Sequence, residues 1–243
     1  MSTLLLRLAG PMQSWGSSSR FVRRTTDPHP TKSGVLGLLA AAQGRRRTDP
    51  IEDLLQLRFG VRIDQPGRLM RDFQTARTRD GRKSMPLSYR FYLADAAFVA
   101  AVEGERALLE GLHEALVRPV FPLYLGRRSC PPAGRVSMGI RDSELVETFE
   151  REPWAAAGWW QRRSRSAQVG LEVVMDAEVG STAEESAADL PVSFDPEHRV
   201  YAMRRIDRTT VTVDTPARRS SDSRAEAWKG IDGHNPMDAV GGG

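Results

Sequence analysis

The sequence has one cysteine, Cys130, and three lysines among its 243 residues. A single thiol excludes an intramolecular disulfide and any zinc site built on several thiolates. The longest apolar stretch, residues 35–42, is far shorter than the roughly 20 residues that a membrane-spanning helix needs. These absences predict a cytoplasmic protein that does not enter a membrane.

The signatures of several common enzyme classes are also missing. The sequence contains no P-loop, no G-x-S-x-G nucleophile elbow and no H-E-x-x-H zinc motif. Its four histidines are far apart in sequence, so they indicate no metal site, and nothing predicts a cofactor. His29, in a basic loop, stays open as a general acid or base, with a structural role or an RNA contact as the alternatives.

Basic charge is concentrated in the first part of the chain. Residues 1–90 hold 17 basic and 7 acidic residues, a net charge of +10, whereas residues 91–243 carry a net charge of −6. This asymmetry predicts that the N-terminal half meets a polyanion. Most of the basic residues are arginines, which bind phosphate through a planar fork of donors and stack on bases. A GC-rich genome would explain the preference for arginine but not its uneven distribution.

The apolar patterns predict an α+β fold. We expect a strand at 3–8, helices at 31–43 and 49–57, a strand at 59–63, a strand pattern at 87–102 and an amphipathic helix at 104–117. Thr31 or Ser33 could cap the first of these helices, and Asp49 is the expected cap of the second, with Pro50 at its first position. This order is typical of a ferredoxin-like or RNA-recognition-type domain that lacks only its last strand. We assign that domain to residues 1–117.

The remaining segments are more polar. Residues 64–86 are rich in arginine, poor in aliphatic residues and carry a turn signal at 79–81, so they predict a long protruding β-hairpin. Residues 118–214 are predicted to form a smaller β-rich C-terminal part, with strands at 169–179 and 198–213 and a loop at 181–189. The composition of residues 215–243 predicts a flexible tail.

Two segments of the basic half are candidate RNA contacts. Arg20, Arg23 and Arg24 alternate with the aromatic residues Trp15 and Phe21, which suits single-stranded RNA because phosphates need cations and bases need stacking surfaces. An ordinary solvated loop is the alternative.

The second candidate is the start of the first predicted helix. Free amides at a helix N-terminus attract anions, so Lys32, Ser33 and Gly34 are a candidate phosphate site. The alternative for Gly34 and Gly37 is that these glycines let the helix pack closely.

Three blocks of the sequence carry a family resemblance: residues 6–16 (LRLAGPMQSWG), 30–39 (PTKSGVLGLL) and 124–131 (YLGRRSCP). In this order they resemble the CasD family, the Cascade subunit of type I-E CRISPR systems. The resemblance spans about residues 4–135 and is poor beyond residue 140. It implies the fold of the repeat-associated mysterious protein superfamily: a ferredoxin-like N-terminal domain, a long thumb hairpin and a smaller β-rich C-terminal part.

The resemblance also implies a function. A subunit of this family is expected to bind the 5′ handle of the CRISPR guide RNA (crRNA) without cutting it, and to cap the backbone filament of the complex. The implied partners are the handle, target DNA near the guide junction, and the neighbouring backbone and large subunits. The related subunit of another subtype is a metal-independent endoribonuclease that processes repeat RNA, which is the enzyme alternative.

Further site residues follow from the matching blocks. Gln13 joins the candidate RNA contacts, as do Gly126, Arg127 and Arg128, whose turn exposes amides and whose arginines can clamp a phosphate. An ion pair between one of these arginines and an acid of the second half is the alternative. The expected thumb residues are Arg68, Arg71, Phe73, Arg77, Arg79, Arg82 and Lys83.

Overall fold

The computed structural model describes residues 1–16, 23–178, 180–181, 184–195 and 197–216. Its elements, in chain order, are β1 (Ser2–Ala9), β2 (Met12–Gln13), β3 (Arg23–Arg24), α1 (Lys32–Ala42), α2 (Glu52–Leu55), β4 (Arg58–Gln65), β5 (Arg68–Gln74), β6 (Ser88–Ala94), β7 (Ala97–Gly104), α3 (Arg106–Val117), β8 (Ser137–Arg141), α4 (Leu145–Arg151), α5 (Gly158–Gln161), β9 (Gln168–Asp176), β10 (Glu185–Ser193) and β11 (Val200–Asp214). The predicted mixture of α and β structure is confirmed. Among the described residues, no helix is both long and apolar enough to cross a membrane.

Seven strands form one large antiparallel sheet in the order β10-β11-β9-β4-β7-β1-β8. Its strands β8, β9, β10 and β11 come from the second half of the chain, so the sheet continues across the boundary that we predicted at residue 117. Strand β8 follows α3 and pairs with β1.

Strand β1 is buried on both faces, which explains its unbroken leucine run. Leu4, Leu6 and Leu8 belong to the core that contains residues of α1 and α3. Leu5 points the other way, into a second core with Phe149 of α4. A strand covered on both faces needs apolar residues at successive positions instead of alternate ones.

Helix α1 agrees closely with the sequence prediction. Thr31 caps it by accepting a hydrogen bond from the Gly34 N–H at 3.2 Å. The second predicted helix is wrong in length and cap. Helix α2 has Ile51 at its N-cap position, and the Asp49 carboxylate instead accepts a hydrogen bond from the Arg46 N–H at 2.7 Å, which closes the preceding turn.

A second, smaller sheet carries the predicted hairpin. Strand β6 pairs with β2, β3 and β5, and the β5–β6 pairing runs from Arg68↔Ala94 to Gln74↔Ser88. The predicted turn lies where expected, with the Gly81 N–H donating to the Thr78 carbonyl at 2.8 Å. The expected start at residue 64 is wrong, because residues 64 and 65 are buried at the end of β4.

The predicted loop at 181–189 is also wrong, because most of it belongs to β10. This strand lies at the edge of the large sheet, where Pro191 costs no ladder hydrogen bond on its free side. Its alternation is weak because it buries few side chains, among them Asp189. Strands β9 and β11 confirm the two predicted C-terminal strands. Of the predicted tail, residues 217–243 lie outside the described residues.

A buried ion pair fixes the segment that follows α4. Arg62 and Asp64 have fully buried side chains, and Arg62 Nε and Nη2 donate to the two Asp64 carboxylate oxygens at 2.9 and 2.8 Å. Arg62 also donates to the carbonyls of Phe149, Glu152 and Pro153. The two charged groups therefore bind each other and backbone carbonyls inside the protein. Through these carbonyls the pair attaches residues 149–153 to β4.

We expect Asp64→Ala to lower the free energy of unfolding by about 3–5 kcal/mol, because it leaves the Arg62 guanidinium buried and unpaired. Asp72→Ala is the matched control: this aspartate lies on β5 with its carboxylate hydrogen-bonded at the surface. It should change stability by no more than about 0.5 kcal/mol. Urea denaturation of the two variants measures the difference, and equal effects would contradict the structural role of the pair.

Candidate nucleic-acid interface

One face of the small sheet exposes aromatic and arginine side chains together. Residues directly opposite in an antiparallel pair share a face, which places Arg71 beside Phe91 and Phe73 beside Tyr89. Phe73 is 66% exposed and Tyr89 37%. We call this face the aromatic–arginine surface; its members are Arg23, Leu69, Arg71, Phe73, Tyr89 and Phe91.

The arginines of this surface lie over its aromatic rings. Arg71 Cζ is 5.6 Å from the centroid of the Tyr89 ring, and Arg23 Cζ is 5.3 Å from that of Phe91. These distances are within the range of cation–π attraction, which orients the guanidinium groups without neutralising them. Within the described part of the chain, neither arginine has an ion-pair partner. The surface therefore offers both stacking faces and free positive charge.

The tip of the hairpin, residues 75–87, extends this positive charge. Its basic residues Arg77, Arg79, Arg82 and Lys83 are exposed. Hydrogen bonds from the Thr78 hydroxyl and the Arg82 N–H hold the pKa of Asp80 below its usual range, so this carboxylate is ionised and closes the turn. Arg68, at the base of the hairpin, is exposed as well.

Gln13 and Trp15 are inside the protein. The Gln13 side-chain amide donates to the carbonyls of Leu8 and Ala96 at 2.9 and 2.8 Å, and its oxygen accepts from Trp15 Nε1 at 3.0 Å. Trp15 is 1% exposed. Neither side chain is available for a nucleic acid, which corrects their assignment as RNA contacts; they hold β2 against the core.

The predicted phosphate site at the start of α1 is filled by the protein itself. The Lys32 N–H donates to Asp189 Oδ2 at 2.7 Å, and Lys32 Nζ pairs with Asp176 Oδ2 at 2.8 Å. Arg204 binds both carboxylates. Lys32 is 5% exposed and so is Ser33. The Asp189 carboxylate therefore already occupies the helix N-terminus, and the assignment of these residues to RNA is corrected.

The packing alternative accounts for Gly34. A Cβ atom there would lie 2.8 Å from Trp15 Cε3, closer than real Cβ atoms come to a ring carbon. Glycine is required at position 126 for a similar reason. Its φ is +86°, and a Cβ would lie 1.8 Å from the Ser14 carbonyl oxygen, so only glycine fits. Both glycines let segments of the chain approach one another.

Arg127 binds backbone instead of phosphate. Its guanidinium donates to the carbonyls of Phe91 at 3.1 Å, Arg24 at 2.9 Å and Thr25 at 3.2 Å. It also lies over the Tyr92 ring, 5.0 Å from its centroid. The predicted phosphate clamp and its alternative, an ion pair with the second half, are both wrong for this residue. Arg127 fastens the chain at β3 to β6.

We call these three hydrogen bonds of Arg127 the Arg127 clasp. Two other predicted contacts lie beside it. Arg24 and Arg128 are exposed next to it, whereas Arg20 and Phe21 lie outside the described residues.

His29 is half-buried, with Nδ1 3.1 Å from the Pro30 carbonyl oxygen. Burial raises the pKa of the Cys130 thiol, which suits a packing role. In the described ranges, no three His, Cys, Asp or Glu side chains group as metal ligands would.

Sequence reasoning missed Tyr89 and Phe91 as surface residues. Their alternation with Leu93 was visible in the sequence and predicted a strand. Alternation identifies which residues share a face but not which face is covered. Leu93 on the same face is 6% exposed, so burial changes along the strand as β6 leaves the core.

Comparisons with known proteins give a consistent assignment. A family model described as CRISPR-associated protein (Cas_Cas5) matches residues 3–207. The chain is 37% identical over 150 residues to the CRISPR system Cascade subunit CasD of Escherichia coli strain K12, a match that covers 54% of this chain and 67% of CasD.

Two solved structures are similar over most of the chain. A crystal structure of a Cas protein is 40% identical with a TM-score of 0.68, covering 86% of this chain and 94% of the other. A chain of a CRISPR RNA-guided surveillance complex is 32% identical with a TM-score of 0.74, covering 93% and 98%. The family model alone spans well over half of the sequence, and the chain belongs to the Cas5 family of CRISPR-associated proteins.

Proposed function

We propose that this chain is a non-catalytic crRNA-binding subunit of a Cascade-type CRISPR surveillance complex and that it holds the 5′ handle of the guide RNA. The observation that carries the proposal is the aromatic–arginine surface, whose rings and guanidinium groups are exposed together. Similarity to CasD and to a chain of an RNA-guided surveillance complex supports the same assignment. The complex would work in the cytoplasm.

The surface fits single-stranded RNA better than a duplex. Splayed bases can stack on Phe73 and Tyr89, while Arg23 and Arg71 lie close enough to contact the intervening phosphates. A duplex keeps its bases stacked on each other and would leave these rings without partners. Arg24 and Arg128, exposed beside the Arg127 clasp, would continue the path of the phosphate backbone.

The strand arrangement supports a ferredoxin-like RNA-binding domain. Four strands of the large sheet lie in the order β8-β1-β7-β4, with α1 connecting β1 to β4 and α3 connecting β7 to β8. All three pairings are antiparallel. This is the strand order of two interleaved βαβ units, as in a ferredoxin-like domain.

The hairpin tip would act as the thumb of the subunit. It is basic, exposed and makes few contacts with the rest of the chain, so folding does not explain its composition. We propose that it lies across the junction of handle and guide, near the target DNA, and contacts the neighbouring backbone and large subunits. A subunit at that junction would cap the backbone filament.

We expect Phe73→Ala and Tyr89→Ala each to weaken binding of repeat-derived RNA by roughly 5- to 150-fold, the effect of losing about 1–3 kcal/mol of stacking. Arg71→Ser should also reduce the salt dependence of log K by about 0.7. Fluorescence anisotropy at several salt concentrations measures both. Phe121→Ala, at an exposed phenylalanine beside the end of α1, is the control; an equal loss there would contradict a specific surface.

We expect no specific cleavage of repeat RNA by the purified chain in EDTA. His29 is hydrogen-bonded within its own loop, and the Tyr89 hydroxyl makes no hydrogen bond to a basic group among the described residues. Denaturing gels of end-labelled RNA provide the test. Site-specific cleavage that disappears in His29→Ala or in Tyr89→Phe, which keeps the stacking ring, would favour the endoribonuclease alternative.

We expect the chain to fold without its hairpin tip but to assemble poorly. Gln74 and Ser88 are paired across β5 and β6, so replacing residues 75–87 by Asn-Gly closes the hairpin with a two-residue turn. The melting temperature of the isolated chain should be almost unchanged, while incorporation into the complex or target binding falls. Unfolding of the shortened chain would show that the tip belongs to the core, and normal assembly with full target binding would exclude the thumb role.

A further inference from the structure

A second group of aromatic and basic residues lies on α5 and the turn after it. The segment contains Trp159, Trp160, Arg162, Arg163 and Arg165, which we call the tryptophan–arginine patch. No acidic residue occurs between Glu152 and Glu172. The patch is therefore a positive island in the half of the chain that carries a net charge of −6.

The two indoles are arranged so that one faces solvent. Their ring centroids are 5.5 Å apart and their planes are at 89°. Trp160 is partly buried and packs against the second core. Trp159 is 41% exposed, and Arg163 Cζ lies 5.1 Å from the centroid of the Trp160 ring. The patch therefore presents an exposed indole next to the pair formed by Trp160 and Arg163.

The arginines of the patch differ from several other arginines of the second half, which are ion-paired. Arg141, Arg151, Arg204 and Arg208 each pair with at least one carboxylate. Arg162, Arg163 and Arg165 are exposed and have no ion-pair partner within the described ranges. Three neighbouring like charges repel one another, so their presence together is not explained by folding.

The segment that leads into the patch is attached to the end of β4. The Ala155 N–H donates to Asp64 Oδ2 at 2.6 Å, and Trp154 Nε1 donates to the Asp64 carbonyl at 2.9 Å. The Ala157 N–H donates to Gln65 Oε1 at 3.1 Å. Gln65 lies just before the turn that leads into β5, so the patch begins beside the base of the hairpin. A prearranged surface loses little conformational entropy when a ligand binds.

We propose that the tryptophan–arginine patch is a second binding surface for single-stranded nucleic acid, with a base stacked on Trp159 and phosphates held by Arg162, Arg163 and Arg165. Charge complementarity and the absence of aliphatic side chains in the patch favour a polyanion over a protein partner. The guide RNA and a target DNA strand share this chemistry. The proposal does not depend on handle binding, because the patch lies outside the small sheet.

The test uses the full chain carrying Phe73→Ala and Tyr89→Ala, so that binding by the aromatic–arginine surface is weakened. Probes are fluorescein-labelled 15-nucleotide oligouridylate and oligothymidylate, which separate RNA from DNA. Trp159→Ala should weaken binding about tenfold and Trp159→Phe much less. The triple variant Arg162→Ser, Arg163→Ser, Arg165→Ser should reduce the salt slope by about 2. Arg151→Ser, at an exposed arginine that is ion-paired with Glu147, is the matched control and should change neither quantity.

Unchanged affinity and salt slope with both probes would overturn the proposal without affecting the proposed function, which is judged on the Phe73 and Tyr89 variants alone. Loss of incorporation into the complex with unchanged nucleic-acid binding would identify a protein-docking surface and overturn it as well. If a patch variant melts early, photo-crosslinking of the unaltered chain to 4-thiouridine and 5-bromodeoxyuridine oligomers decides instead. Crosslinks to residues 158–165 support the proposal, and their absence overturns it.

Discussion

Four charged side chains at the start of α1 connect the two halves of the chain. Asp176 and Asp189 come from β9 and β10, and they bind Lys32 and Arg204 through hydrogen bonds of 2.6–3.1 Å. Breaking such a buried network leaves a charge without a partner, which is far more costly than losing a surface pair. The network therefore keeps β9, β10 and β11 in register with the strands of the first half. It also places carboxylates at the positive end of α1, which is therefore not available to an external anion.

Local patterns predicted the elements whose signal is local. The leucines of β1, the Thr31 cap of α1 and the spacing of Leu112 and Leu116 on α3 follow from periodicity and capping alone, and the structure has them. Strand β10 could not be predicted, because an edge strand buries few residues and tolerates Pro191. Asp49 does not cap α2, because its carboxylate accepts a hydrogen bond from the Arg46 N–H in the preceding turn.

The candidate site was predictable in composition but not in position. Excess arginine in the first ninety residues predicted a surface for a polyanion, and Arg23 and Arg71 lie on the exposed aromatic–arginine surface. Whether a given cation is free depends on carboxylates that are distant in sequence, such as Asp176 for Lys32. The same limit applies to Trp15: an indole beside arginines suits RNA, yet its contact with Gly34 places it in the core. These assignments depend on contacts between residues that are distant in sequence, which no local pattern contains.

The Arg127 clasp fixes the backbone of residues 23–25 without depending on their side chains. Its three hydrogen bonds end on the carbonyl oxygens of Arg24, Thr25 and Phe91, atoms that every amino acid provides. The side chains at positions 23–25 can therefore be exchanged while the backbone stays beside β6. The exposed side chains at this edge can therefore change over evolutionary time without any change in the fold that supports them.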